Sequence, residues 1–402
     1  MKILFLCNKS PYPAREGGPI AMKSLIDGLL SAGHQVKVLA VNSEKYQVNP
    51  DEIPEEFRKQ TAIELVDVDL KIRPFDALMA FLKNESYHVK RFISKKFRLK
   101  LVEILQASTF DIVQLETVFM MPYITDIRQY TAAPIVLRAH NIEHLIWKRI
   151  ARQTKFPAKK LYLHHLSKTL KAYELQSLND ADGIAAITRK DAAFFRGLTS
   201  SSAIDIPFAI QPEKFVPAFQ VAEKPIFFHL GSMNWIPNQE GIRWFLEKVW
   251  PLVYRKKPEA RFVLAGRFMP EWLLQYKATG IEVVGEVDDA SEFVRKHDIA
   301  VVPLLSGSGI RIKIIEAMAL GKTVLTTTIG AEGINYVDMK NLFIADNAEK
   351  MAAIMVQLYE NPAIAEKTGK AARQLVQDLH DNSKVVDRLL LFYKNLTQIK
   401  NC

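Results

Sequence analysis

Apolar residues in this chain gather in short runs, separated by longer stretches of helical period. The stretches 2–7, 35–41, 63–68, 111–116, 134–140, 183–188 and 203–206 read as strands, and the later run 299–305 leaves no room for polar alternation. Strands of that kind are covered on both faces, as in parallel sheets. Amphipathic stretches such as 20–31 and 164–178 lie between them. The same rhythm returns at 225–231, 261–266, 281–285, 299–305, 323–327 and 342–345. Strands alternating with helices predict an α/β fold with parallel sheets. The segment 212–223 has two prolines and no clear period, which predicts a linker. The domains expected are therefore 1–211 and 224–382, with a last helix at about 383–398 within a closing segment 383–402.

In open parallel sheets, ligands bind beyond the carboxyl ends of the strands, so the residues just after each run are the candidates. The richest is Pro303-Leu-Leu-Ser-Gly-Ser-Gly-Ile-Arg-Ile-Lys-Ile-Ile-Glu-Ala-Met-Ala-Leu-Gly321. Gly307 and Gly309 let backbone amides turn towards a ligand, and the following helix points its positive end at the same place. Arg311 and Lys313 add two cations, and Glu316 follows one turn later. Such a turn suits a diphosphate with a carboxylate nearby for hydroxyl groups.

This segment resembles the donor-binding motif of the retaining glycosyltransferases of family 4, which have the GT-B fold of two facing Rossmann-like domains with a cleft between them. Glu316 stands where the family binds the ribose of a nucleotide sugar. Ser308 stands where many members have a second glutamate on the donor sugar. The resemblance implies that Ser306, Gly307, Ser308 and Gly309 cradle the donor, and that Arg311 and Lys313 clamp its diphosphate. It places amides of Gly231 and Ser232 beside the phosphates and Val287, in Glu286-Val-Asp-Asp289, along the nucleobase, and Arg267 is a further candidate for a phosphate or base contact. In the first half, Asn8-Lys-Ser-Pro-Tyr-Pro-Ala-Arg-Glu-Gly-Gly18 resembles the family's first loop, with amides of Gly17 and Gly18 facing the donor phosphate or the acceptor. It lacks Gly-x-Gly-x-x-Gly, which disfavours NAD. In Leu137-Arg-Ala-His-Asn-Ile-Glu-His-Leu-Ile-Trp147, His140 matches the histidine beside the donor sugar, while Asn141, Glu143 and His144 would shape the acceptor side. The last helix is expected to pack back on the first domain.

The resemblance implies transfer, with retention, from a nucleotide diphosphate sugar to a glycan or lipid-linked acceptor in polysaccharide or glycoconjugate synthesis. A nucleotide-sugar epimerase or hydrolase, or a catalytically silent sugar-nucleotide-binding subunit, remains open on the same residues. No Asp-x-Asp metal site stands out, so no metal or other cofactor is expected.

Bulk properties narrow the picture further. The chain has 402 residues, enough for two domains, with 49% hydrophobic and 24% charged residues. Its two cysteines give no disulfide framework, which points to a reducing, cytoplasmic compartment. The net charge of +10 is unevenly spread. Positions 71–100 hold nine cations against Asp76 and Glu85, and 148–171 hold eight cations and no acid. Phe75, Leu78, Phe81, Phe92, Ile93 and Phe97 are interleaved with the first group. That face suits peripheral contact with an anionic membrane surface, or is simply a solvated basic surface. No nucleic-acid-binding motif is present.

Overall fold

A computed structural model describes residues 1–14, 17–307 and 309–401, the side chains only to Ile399. It divides into two compact units: Met1–Ala209 with Asn382–Cys402, and Ile210–Asp381.

The first unit is built on a seven-stranded sheet. Its strands are β1 (Lys2–Cys7), β2 (Gln35–Asn42), β3 (Glu64–Asp67), β4 (Ile112–Glu116), β5 (Ile135–Ala139), β6 (Gly183–Ala186) and β7 (Ser202–Asp205). The order is β3-β2-β1-β4-β5-β6-β7, with every pair parallel. The principal helices are α1 (Gly17–Ser31), α2 (Pro74–Leu82), α3 (Tyr87–Lys90), α4 (Glu143–Gln153), α5 (Pro157–Ser177) and α6 (Arg189–Arg196). Apolar cores cover both faces of the sheet, which is why its strands are rich in apolar residues. Thr188 caps α6, its hydroxyl accepting from the Asp191 amide at 3.0 Å.

The second unit carries β8 (Ile226–Leu230), β9 (Arg261–Ala265), β10 (Ile281–Gly285), β11 (Ile299–Val302), β12 (Thr323–Thr326) and β13 (Phe343–Ile344). Their order is β10-β9-β8-β11-β12-β13, again all parallel. Helices α7 (Ile236–Trp244), α8 (Ala290–Lys296) and α9 (Ile312–Ala319) follow β8, β10 and β11. The final helix, α10 (Asn382–Asn401), belongs to the first unit, where the Asn382 amide donates to the Ser24 carbonyl at 2.9 Å.

Three expectations change. The strand expected over 299–305 ends at Val302, because Pro303 has no N–H to pair and the Leu304 amide turns back to the Val302 carbonyl. The helix expected over 164–178 starts at Pro157, whose missing amide hydrogen costs nothing at a first helical position. The segment 212–223 is not a free linker. The Phe215 carbonyl accepts from Arg373, the Ala218 amide donates to the Leu320 carbonyl, and the Ala222 amide donates to Asp298.

Candidate functional site

In each unit the strand order reverses direction beside its first strand, between β1 and β4 and between β8 and β11. The crevice at such a point is where open α/β sheets bind ligands.

In the second unit three side chains from separate segments meet there. The Lys313 ammonium, in the first turn of α9, donates to Asn238 Oδ1 at 2.9 Å and lies 3.4 Å from His229 Nε2. His229 is buried in β8, and its Nδ1–H donates to the Val301 carbonyl at 2.7 Å. That bond leaves Nε2 as the acceptor facing the lysine. Burial, and then Lys313, hold the imidazole well below its ordinary pKa, so it is neutral. Asn238 also donates to the Ser232 carbonyl at 2.8 Å, which ties the loop after β8 to the lysine. Burial, followed by the neighbouring Arg311, pulls the Lys313 pKa down to about 7. A cation so placed gains most from an arriving anion. A Cβ at Gly231 would come within 2.9 Å of both Lys313 Nζ and His229 Nε2, so the backbone itself borders the ammonium.

Lys313, His229 and Glu316 also line one cavity of about 170 Å³, together with Phe228, Val294 and Ser291. Burial raises the pKa of Glu316 above the ordinary carboxylate value. Arg311 is placed differently from the clamp expected of it. Its side chain is buried, its Nη1 donates to the Gly309 carbonyl at 2.8 Å, and its guanidinium lies 5.0 Å from the Trp235 ring centroid. Gly307, at φ 116°, packs on both, and a Cβ there would meet Arg311 Nη2 at 2.7 Å and Trp235 at 3.0 Å. Arg311 therefore braces the glycine turn, and Lys313 is the cation that faces the cavity. Ser306 donates to Glu240 at 2.7 Å. Ser232 donates to Asn234 at 2.9 Å. Arg267 is exposed, and its carbonyl accepts from the Met233 amide. Val287 is half-buried in the loop after β10. Ser308 lies outside the described residues.

In the first unit the site rests on a buried polar chain. Tyr393 of α10 donates to Gln114, Gln114 Nε2 donates to Glu116 Oε1 at 2.5 Å, and Glu116 Oε2 meets His140 Nε2 at 2.5 Å. Gln114 and Glu116 are fully buried, and His140, just past the carboxyl end of β5, is 10% exposed. Arg138, 1% exposed, holds its Nε 3.9 Å from the same carboxylate, while its Nε and Nη1 make no hydrogen bond among the described residues. Gly18 lies under Lys9, whose Cε would be 3.2 Å from a Cβ there, and Gly17 opens α1.

His144 does not reach an open face. It is buried, its Nδ1 meets Glu174 at 2.5 Å, and the same carboxylate accepts from the Glu143 and His144 amides. Glu174 thus caps α4, and His144 is part of that cap. Asn141 donates weakly to Glu143 at 3.4 Å. Burial, and then Glu174, raise the Glu143 pKa to about 7.

Sequence reading missed His229, Trp235 and Glu116, and left Asn238 open between a ligand contact and a loop cap. Two carried a signal: His229 interrupts the apolar run Ile226-Phe-Phe-His-Leu230, and Gln114 and Glu116 interrupt that of β4.

Residues 224–361 match the model of the family described as glycosyl transferases group 1. That match falls within the second unit. Similarity beyond this domain is broader but more distant. An uncharacterized 44.6 kDa protein in the cps region of Klebsiella pneumoniae is 22% identical over 399 residues, covering 96% of this chain and 97% of that protein. Sucrose-phosphate synthase from Thermosynechococcus elongatus superposes with a TM-score of 0.68 at 15% identity, over 99% of this chain and 100% of its own. HepE of Anabaena, solved with UDP, gives 0.66 at 15% identity, over 98% and 100%. The fold of this chain is thereby GT-B.

Proposed function

We propose that this protein is a retaining, metal-independent glycosyltransferase that moves a sugar from a nucleotide diphosphate sugar to a glycan or lipid-linked acceptor, in polysaccharide or glycoconjugate synthesis. The observation that carries this reading is the Lys313–Asn238–His229 cluster sharing a cavity with Glu316. Lys313 takes the diphosphate and Glu316 the ribose hydroxyls. HepE, which shares the fold, was solved with UDP, with UDP and glucose, and with UDP-glucose.

The bond from the anomeric carbon to the diphosphate oxygen breaks with both electrons going to oxygen. The acceptor hydroxyl oxygen bonds to that carbon on the same face, and its proton passes to the leaving diphosphate. Lys313 and the amides of the glycine turn stabilise the developing charge, a contribution worth about 10²–10³ in rate per donor. They do the work that a divalent ion does elsewhere. His140, held by Glu116, orients the donor sugar, and Asn141 and Glu143 face the acceptor.

The test is thermal shift against a panel of nucleoside diphosphates in EDTA, with wild type beside Lys313→Met. One base should stabilise the wild type, by about 2.7 kcal/mol at 100 times its Kd, and leave the variant unmoved. No response to any nucleotide would overturn the reading. Donor consumed without acceptor would point instead to the hydrolase or epimerase.

A further inference from the structure

Helices α2, α3, α4 and α5 form a small subdomain of the first unit around Ala77, Ala80, Tyr87, Ala151, Leu163 and Leu166. On α2 that inner face leaves Phe75, Leu78 and Leu82 on the other side, at helical spacing. They are 72%, 53% and 69% exposed, and Ile72 just before the helix is also exposed. Four large apolar side chains in water within eleven positions is more than scattered surface hydrophobicity. The helix is held firmly from behind, where the Phe81 ring lies 4.2 Å from that of His165 on α5. Phe156 and Leu161, at the start of α5, are exposed as well.

Cations surround these residues. Lys71, Arg73 and Lys90 are each paired with an acid. Lys83, Lys155, Lys159 and Lys160 are exposed and make no ion pair among the described residues. The stretches 71–100 and 148–171 carry surpluses of seven and eight positive charges against +10 for the whole chain, so the rest of the molecule is net negative. Among the described residues no helix is long and apolar enough to cross a membrane.

We propose that this face docks on an anionic lipid surface, with Phe75, Leu78 and Leu82 entering the headgroup boundary and the surrounding lysines contacting lipid phosphates. Apolar insertion combined with basic flanks is the chemistry of an interfacial helix. A second copy of the chain fits poorly, because a symmetric contact would press an acid-free basic stretch against itself. Nucleic acid would meet the lysines but would leave the apolar side chains in water or against phosphate. The helices α2 and α4 both leave the sheet at its carboxyl-end edge, the edge that bears His140, so docking would hold that edge towards the lipid. The docking surface does not depend on the transferase reading. A lipid-linked acceptor would.

The experiment is flotation of the full chain with phosphatidylcholine vesicles and with vesicles also containing phosphatidylglycerol. Wild type should float only with the second. Phe75→Ser/Leu78→Ser/Leu82→Ser should abolish flotation, and Lys159→Glu/Lys160→Glu should weaken partitioning roughly tenfold or more. Far-UV circular dichroism and the melting curve of the full chain should match wild type in both variants, which shows that they fold. Failure of wild type to bind phosphatidylglycerol vesicles overturns the proposal. So does full binding by the triple-serine variant, which would leave a general polyanion site. Dimerisation seen by light scattering and lost in that variant would assign the patch to a second copy instead.

Discussion

Lys313 Nζ and Asn238 Oδ1, 75 positions apart in sequence, are joined by a 2.9 Å hydrogen bond that fixes the ammonium beside the loop following β8. The amide's other end holds the Ser232 carbonyl. Asn238→Ala should therefore leave a half-buried cation and a loop carbonyl unsatisfied, costing about 1–3 kcal/mol in stability. Diphosphate affinity should fall about tenfold or more with it, since the charge is no longer aimed. Asn238→Asp separates the two effects. It should keep or raise stability by pairing with Lys313, yet lose affinity because a carboxylate faces the phosphates. Calorimetric titration with the preferred nucleoside diphosphate, beside chemical denaturation, checks both.

The Lys313 pKa of about 7 lies below the ordinary lysine value of 10.5. Between those values the unfolded chain binds a proton that the empty folded protein does not, so this group makes stability rise with pH across that window. An arriving diphosphate restores the charge. Binding should then take up a proton above pH 7, and affinity should fall as pH rises, by at most about tenfold per unit. Titrations in buffers of different ionisation enthalpy would reveal that proton. Lys313→Met should abolish the proton uptake and the affinity together, while making the empty fold no less stable.

Glu116 and Arg138 are both buried in the sheet of the first unit, whereas His140 follows the carboxyl end of β5 and is partly exposed. Removing Glu116 leaves a guanidinium buried with no counter-charge. Glu116→Ala should cost about 3–5 kcal/mol in denaturant unfolding. His140→Ala should cost far less in stability and act mainly on turnover.

Glu143 titrates near 7 rather than at the ordinary 4.5. Between these values the folded protein keeps a proton that the unfolded chain has lost, so stability declines as pH rises through that window. Glu143→Gln should flatten this decline and melt higher than wild type at pH 8. Melting curves at pH 5 and pH 8 give the comparison.

The strands were legible because both faces of each sheet are covered, so position and apolarity coincide. Ends were less so: Pro303 cut β11 short inside an apolar run that continues to Leu305. The glycine turn, Lys313 and Glu316 could be found because one short segment carries them all. Glu116 could not, since its importance lies in contacts made across the fold, with Arg138 and His140, and the bond from Lys313 to Asn238 was likewise out of reach of the sequence. Arg311 shows the converse. Its place in the motif promised a ligand contact, but stacking on Trp235 and bonding to Gly309 turn it into a brace. His144 was misread for the same reason, as its partner Glu174 lies 30 positions away.

Because α10 belongs to the first unit although it follows the second in sequence, the first unit is a discontinuous domain with the other inserted into it. On the ribosome it stays incomplete until the entire second unit has been made. Tyr393 reaches Gln114 from that late helix, so the buried polar chain behind His140 is closed last. A nonsense mutation after Asp381 would spare every residue of the second unit and still leave the first without its final helix.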